Sequence, residues 1–290
     1  MPYIEATGIA KSFPAGGGVR AVLRDVSLSV ERGEFVSIVG AMGSGKSTLL
    51  SILAGLSSAD AGTVSVGGET VTGVRENAAF VFQNYSLLPW FTALENVRLA
   101  VEASCRTLTR EQQRARATHV LEQVGLGNAL HRRPRQLSGG MRQRVAIARA
   151  FAPDPDLLFM DEPFGALDAL TRETLQGELM RLCSSASKPV TTIMITNSVE
   201  EALLLSDRIV PILPGPPATL GAPITVDLPH GRTVAQLAHD EQASFVRAHV
   251  VATLTAALGS RRPRAGVVST EKDTTNPGVV SEKPHPVSLS

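Results

Sequence analysis

Residues 34–55 decide the fold: Glu34-Phe35-Val36-Ser37-Ile38-Val39, then Gly40-Ala41-Met42-Gly43-Ser44-Gly45-Lys46-Ser47 with Thr48, then Leu49-Leu50-Ser51-Ile52-Leu53-Ala54-Gly55. A β-branched run, a glycine-rich turn and an apolar helix start follow without a gap. That order aims a row of backbone N–H groups and the positive end of a helix at one point, which suits a polyphosphate. Glycine, four residues, then glycine-lysine-serine is the phosphate-loop spacing. Lys46 is placed to reach terminal phosphates, and the Ser47 hydroxyl to ligate Mg²⁺. The reading is a nucleoside triphosphate site.

Working outward, Leu157-Leu158-Phe159-Met160-Asp161-Glu162 is an apolar strand that ends in two carboxylates. The C-terminal strand edge is where an open α/β sheet binds its ligand. Asp161 is suited to hold the Mg²⁺ shell and Glu162 to polarise an attacking water. A second anion site is predicted at Leu137-Ser138-Gly139-Gly140-Met141-Arg142-Gln143-Arg144. A serine and two glycines at a helix N-terminus present N–H donors and a positive dipole end to phosphate.

The rest of the chain sets the frame. Residues 3–39 read as several short strands broken by the turn at Ala15-Gly16-Gly17-Gly18, with apolar alternation from Val22 to Val30. Further strands are expected at 62–68, 78–82, 157–160 and 191–195, and helices at 111–124, from Ser138 as N-cap, and at 168–184. Strand–helix alternation on both sides of a helical block at about 86–155 predicts an α/β core with an inserted all-helical subdomain. The expected domains are 1–230 for the nucleotide unit, 231–258 for a helical extension and 259–290 for a disordered Pro/Ser/Thr/Gly-rich tail.

Over 290 residues, 43% are hydrophobic and 19% charged, with net charge +1; this is an ordinary globular balance that gives no ground for a nucleic-acid partner. Cys105 and Cys183 show no ligand spacing and read as reduced thiols. Met1-Pro2-Tyr3-Ile4-Glu5 lacks the features of a signal peptide, and no run approaches the ~18 apolar residues of a spanning helix. Any membrane link is therefore expected to pass through a partner.

Taken together, the phosphate loop, the LSGG-type helix start and the Asp161-Glu162 strand resemble the ATP-binding subunits of ABC transporters, over roughly residues 3–230. The resemblance implies a P-loop NTPase core, a mixed sheet with N-terminal antiparallel strands, and ATP as substrate with Mg²⁺. It implies that Phe13 stacks on adenine, although a core role for Phe13 stays open. It implies that Gln83 touches Mg²⁺ and the attacking water. Residues 84–90 would face the membrane subunit, with a core role for Trp90 equally open. In such subunits two chains pair head to tail. Ser138, Gly139, Gly140 and Met141 would then serve ATP held by the other chain's phosphate loop, and Asp168 would lie on the loop that crosses between them.

One position departs from the pattern. Where the family usually has histidine in a Thr-His-Asp sequence, this chain has Thr196-Asn197-Ser198. The Asn197 amide can still donate to the γ-phosphate. Hydrolysis is expected to be retained but altered, because Glu162 is intact. Asn84-Tyr85-Ser86-Leu87-Leu88-Pro89-Trp90, residues 161–172 and residues 200–208 are similar to importers of nitrate, sulfonate, taurine and cyanate, and residues 175–180 and 209–216 are most similar to the nitrate/nitrite branch. The expected partners are a second ATP-binding subunit (homo- or heterodimer), permease subunits and a periplasmic or lipid-anchored binding protein. The expected location is peripheral, on the cytoplasmic face of the cell membrane. A hydrolysis-poor partner in a heterodimer and a non-transport ABC ATPase remain as alternatives.

Overall fold

The computed structural model describes residues 2–186 and 188–259; past Gly259, the tail expected to be disordered lies outside the described residues. Two sheets divide the chain. The first is antiparallel, with β1 (Ile4–Ala15), β2 (Gly18–Val30), β4 (Ala61–Val66) and β5 (Glu69–Thr70) in the order β2-β1-β4-β5. The several short strands expected over 3–39 are instead two long ones in a hairpin, followed by the short β3 (Phe35–Val39) of the second sheet. Register shifts between Ala6 and Ser12 supply the irregularity that reads as breaks in the sequence.

In the second sheet β10 (Thr219–Leu220), β9 (Arg208–Leu213), β3 (Phe35–Val39), β8 (Thr191–Thr196), β7 (Leu157–Asp161) and β6 (Ala78–Val81) lie side by side, with β11 (Ile224–Thr225) added on β9. From β9 to β6 every neighbour is parallel, so five C-terminal strand ends share one edge. Both faces are covered, which explains the unbroken apolar runs. Val36, Ile38, Leu157, Phe159, Ile193 and Ile195 face a core shared with α1 (Lys46–Leu53) and the antiparallel sheet. Phe35, Val39, Leu158, Met160 and Met194 face the opposite core, built with the remaining helices.

Between β6 and β7 the chain forms α2 (Ala93–Ser104), α3 (Arg110–Gln123) and α4 (Gly139–Phe151), which pack on one another. Helices α2 and α3 each begin in a capping box, Thr92 with Glu95 and Thr109 with Gln112. After β7 come α5 (Ala169–Ser185) and, after β8, α6 (Val199–Leu205). The helical extension expected over 231–258 is two helices, α7 (Val234–His239) and α8 (Glu241–Gly259). Asp240 separates them, because its Oδ1 accepts the Ala243 N–H at 2.7 Å and starts a new helix. Through buried Ala243, Val246 and Val250, α8 joins the helical core beside β9 and α6. Among the described residues no helix is long and apolar enough to cross a membrane.

Candidate nucleotide site

The phosphate loop leaves the end of β3 and enters α1 directly. Gly45, at φ 95°, caps the helix in the left-handed region, where a side chain would be strained. A Cβ on Gly40 would come within 2.4 Å of Ile212 Cγ2, so the loop can press against β9 only as glycine. Lys46 is buried, and its Nζ donates to the carbonyls of Gly40 and Ala41, each at 3.0 Å. Ser44 Oγ is buried under the loop and has no partner among the described residues. Ala41, Met42 and Gly43 form an exposed rim.

Two strands away, β7 delivers the carboxylates. Asp161 Oδ1 accepts from Ser47 Oγ at 3.2 Å, and Glu162 Oε1 lies 3.4 Å from Lys46 Nζ. Burial pushes the Asp161 carboxyl above its ordinary value; the Ser47 hydroxyl pulls it back, while neighbouring Glu162 raises it further. An oxygen pair from a hydroxyl and a half-buried carboxylate is the donor chemistry a hard divalent cation takes. Glu162 stands in the left-handed region at φ 42°, held there by its N–H on Ile195 O at 2.9 Å. Its side chain reaches the loop lysine.

From the end of β6, Gln83 Nε2 donates to Glu162 Oε2 at 3.4 Å. Beyond it, Tyr85 and Ser86 are consecutive non-glycine residues at φ 64° and 44°, a costly pairing. Arg149 of α4 holds them, donating to the Ser86 carbonyl and, at 2.8 Å, to the Tyr85 carbonyl. The loop carrying Gln83 is thereby fastened to the helix that begins at Ser138.

A cleft of about 420 Å³ opens over the loop, lined by Met42, Lys46, Ser47, Thr48, Gln83 and Glu162 on one side and by Arg20 and Val22 on the other. A larger cleft of about 780 Å³ lies between α5 and residues 231–234. It contains none of the phosphate-loop residues and none of the paired carboxylates, so the smaller one is the chemically equipped site.

The structure therefore brings together Lys46, Ser47, Gln83, Asp161 and Glu162. Asn197 stands exposed at the end of β8, the strand between β3 and β7, and is absent from the cleft lining. Phe13 is 42% exposed on β1, which removes the core reading; its hairpin partner is Arg20, a cleft residue. Trp90 is 63% exposed, which removes the core reading there too. Ser138 caps α4, its Oγ accepting from Met141 N at 3.2 Å, and Asp168 caps α5 through Thr171 N at 3.0 Å. Both stand exposed outside the cleft.

Comparison with known proteins places this geometry. The description "ABC transporter" fits residues 23–165. The nitrate transport protein NasD of Klebsiella oxytoca is 42% identical over 251 residues, which are 86% of this chain and 95% of NasD. This chain belongs to the ATP-binding proteins of the ABC transporter family. The nitrate import ATP-binding protein NrtD of Synechococcus elongatus is 44% identical over 82% of this chain and 86% of NrtD. The bicarbonate transport ATP-binding protein CmpC of the same organism is also 44% identical, but the match spans 86% of this chain and only 37% of CmpC. An ATP-binding cassette solved as a dimer in a post-hydrolysis state with ADP and Pi superposes with a TM-score of 0.70 at 31% identity, covering 78% of this chain and 99% of that one. The ABC fold thus accounts for both sheets and the helical block.

Three parts of this ABC site escape sequence reading. Arg20 and Val22 reach the cleft only because the β1–β2 register brings them there; position opposite Phe13 in the hairpin is the signal that could have found Arg20. Arg149 looks like one more basic residue of a helix. Outside the cleft, the pairing of Arg172 with Glu201 joins residues 29 positions apart.

Proposed function

We propose that this chain is the ATP-hydrolysing subunit of an ABC importer that energises uptake of a small inorganic anion, nitrate or nitrite in the first place. The observation that carries this is the convergence of Lys46, Ser47, Gln83, Asp161 and Glu162 at one sheet edge. In the proposal the loop N–H groups and Lys46 hold the phosphates, Lys46 exchanging its carbonyl partners for phosphate oxygens. Ser47, Asp161 and the Gln83 carbonyl oxygen would hold Mg²⁺, which when bound supplies positive charge to the phosphate oxygens. Glu162 accepts a proton from water as it attacks. Asn197 donates to the γ-phosphate, and Phe13 stacks on the adenine. Ser138, Gly139, Gly140 and Met141 close over ATP held by a second ATP-binding subunit, with Asp168 at the contact.

Met42 and Leu170 support pairing with a second subunit, since they stand 82% and 79% exposed at the loop rim and at the start of α5. Residues 84–90 with bare Trp90 would meet permease subunits, placing the chain peripherally on the cytoplasmic face of the membrane. An associated binding protein would capture the anion outside. The names of NasD and NrtD favour nitrate; those of CmpC and its kin add bicarbonate, which the sequence resemblance does not include. The exposed Asn197 favours a second reading, a slow ATPase that needs a more active partner.

Two measurements test the proposal. Purified chain is expected to hydrolyse ATP with a specific rate that rises with protein concentration as dimers form. Concentration-independent turnover by a demonstrated monomer would refute the composite site. A deletion strain is expected to lose uptake of nitrate or nitrite; loss of bicarbonate, sulfonate, taurine or cyanate uptake instead would reassign the substrate.

A further inference from the structure

Two residues outside the cleft connect the turn of Asn197 to the loop of Asp168. Arg172, on the first turns of α5, sends Nε to the Phe164 carbonyl at 3.4 Å and Nη2 to the Leu167 carbonyl at 2.9 Å. Its Nε also lies 3.6 Å from Glu201 Oε1. The other oxygen of that carboxylate, Oε2, accepts from Thr196 Oγ1 at 2.6 Å. Thr196 Oγ1 in turn accepts the Ser198 N–H at 3.1 Å, and Ser198 Oγ accepts the Glu201 N–H at 3.2 Å. Asn197 is thus flanked on both sides by residues tied to Glu201, Thr196 to its carboxylate and Ser198 to its backbone N–H. The same first turn of α5 touches α4, because a Cβ on Gly140 would come within 2.5 Å of Thr171 Cγ2.

We propose that Arg172 and Glu201 are positioning residues that join the turn bearing Asn197 to the partner-facing loop bearing Asp168, and so link the two ATP sites of a dimer through each chain. This rests on the dimeric ATPase reading above. Within one chain Asn197 serves its own ATP, whereas the start of α4 serves the partner's; α5 lies between them. A guanidinium fork fixes two carbonyls of the loop at once, a geometry lysine cannot reproduce. Arg172 is partly open to solvent, so its ion pair adds little stability and acts by geometry. Glu201 is 6% exposed, and a buried carboxylate keeps its partners because leaving it bare is costly. Burial pushes its carboxyl up, and the hydrogen bond from Thr196 opposes that.

The experiment is a double-mutant cycle on the full chain with Glu201→Gln, Arg172→Gln and the pair, reading kcat, KM for ATP, the Hill coefficient and Tm. Glu201→Gln keeps an acceptor for Thr196 and loses the charge facing Arg172. Each single substitution is expected to lower kcat roughly tenfold with KM within about twofold, and the pair to be no worse than the poorer single. The Hill coefficient of the parent, expected above one, falls to about one in all three, while Tm moves little in Glu201→Gln, which leaves no bare carboxylate. Arg172→Lys, which keeps charge without the fork, should behave like Arg172→Gln. Multiplying kcat losses, or an unchanged Hill coefficient, would overturn the link alone. A parent that does not hydrolyse ATP would overturn the ATPase reading and the link with it.

Discussion

The phosphate loop and the start of α4 are both glycine-rich turns into a helix, and they are finished to different degrees. At the loop, Lys46 is buried, Ser47 meets Asp161, Gln83 meets Glu162, and a walled cleft lies above. At α4, Ser138 is exposed and caps its own helix, and it is not among the residues that line the cleft. Two helix N-termini with similar dipoles therefore differ in the charged side chains brought to them. The comparison teaches that a helix start becomes a site when other strands deliver charge to it. The loop has β6 and β7 to do so; the start of α4 stands at the surface, and in the proposal another chain completes it.

The largest effect that would sharpen this contrast is expected at the loop. Glu162→Gln should lower turnover by roughly 10²–10⁴-fold while leaving ATP binding intact, because it removes the proton acceptor and keeps the packing. Calorimetric binding beside a steady-state assay checks it; loss of binding would mean that Glu162 holds the cleft together rather than acting in it. Next comes the helix start. Gly140→Ala places a Cβ 2.5 Å from Thr171 Cγ2 and should cost about 1–3 kcal/mol of stability through overpacking. Turnover should fall with it while the affinity of the chain for ATP, set in the other region, stays near the parent's. A weakened ATP affinity would dissolve the distinction between the regions.

Asn197 is intermediate, exposed like Ser138 yet at the sheet edge like Glu162. In the proposed mechanism its amide is one donor toward the developing charge, and losing such a donor costs up to about 10²–10³-fold. Asn197→Ala is expected to be slower than the parent and Asn197→His faster, by initial rates at saturating ATP. Equality of Asn197→Ala with the parent would show that the side chain has no part in hydrolysis.

The smallest effect is on stability and pH. Burial, more than its other neighbours, raises the Glu201 carboxyl above 4.5, against the pull of Thr196 and Arg172. The folded state therefore holds that proton more tightly than the unfolded chain. The associated stability is present in full below pH 4.5 and is lost as pH rises through the folded value. The Tm difference between parent and Glu201→Gln should then drift against the parent from acid toward neutral pH, in melts across that range. A flat or opposite drift would contradict the assignment.

Much of this contrast is legible in the chain itself. Gly40 to Thr48, Asp161-Glu162 and Ser138 to Met141 are local patterns whose neighbours along the chain supply their context, so strand, turn and helix could be read together. Long-range partners are different. Opposition of Arg20 to Phe13 depends on a hairpin register with bulges, and Arg172 meets Glu201 only after β8 has been laid beside β7. The split between α7 and α8 turns on which backbone group Asp240 bonds, a choice that periodicity does not record. Gln83 gains meaning from Glu162, which is 79 residues away.

The central claim is that each ATP is cut by the loop of one chain and the α4 start of another. It is tested most directly by mixing two inactive chains, one with Lys46→Ala and one with Ser138→Arg. In a mixed dimer both lesions fall in the same composite site and the other site is whole. The account predicts that ATP turnover, absent from either chain alone, returns on mixing. Turnover that stays absent, with mixed dimers shown to form, would contradict it.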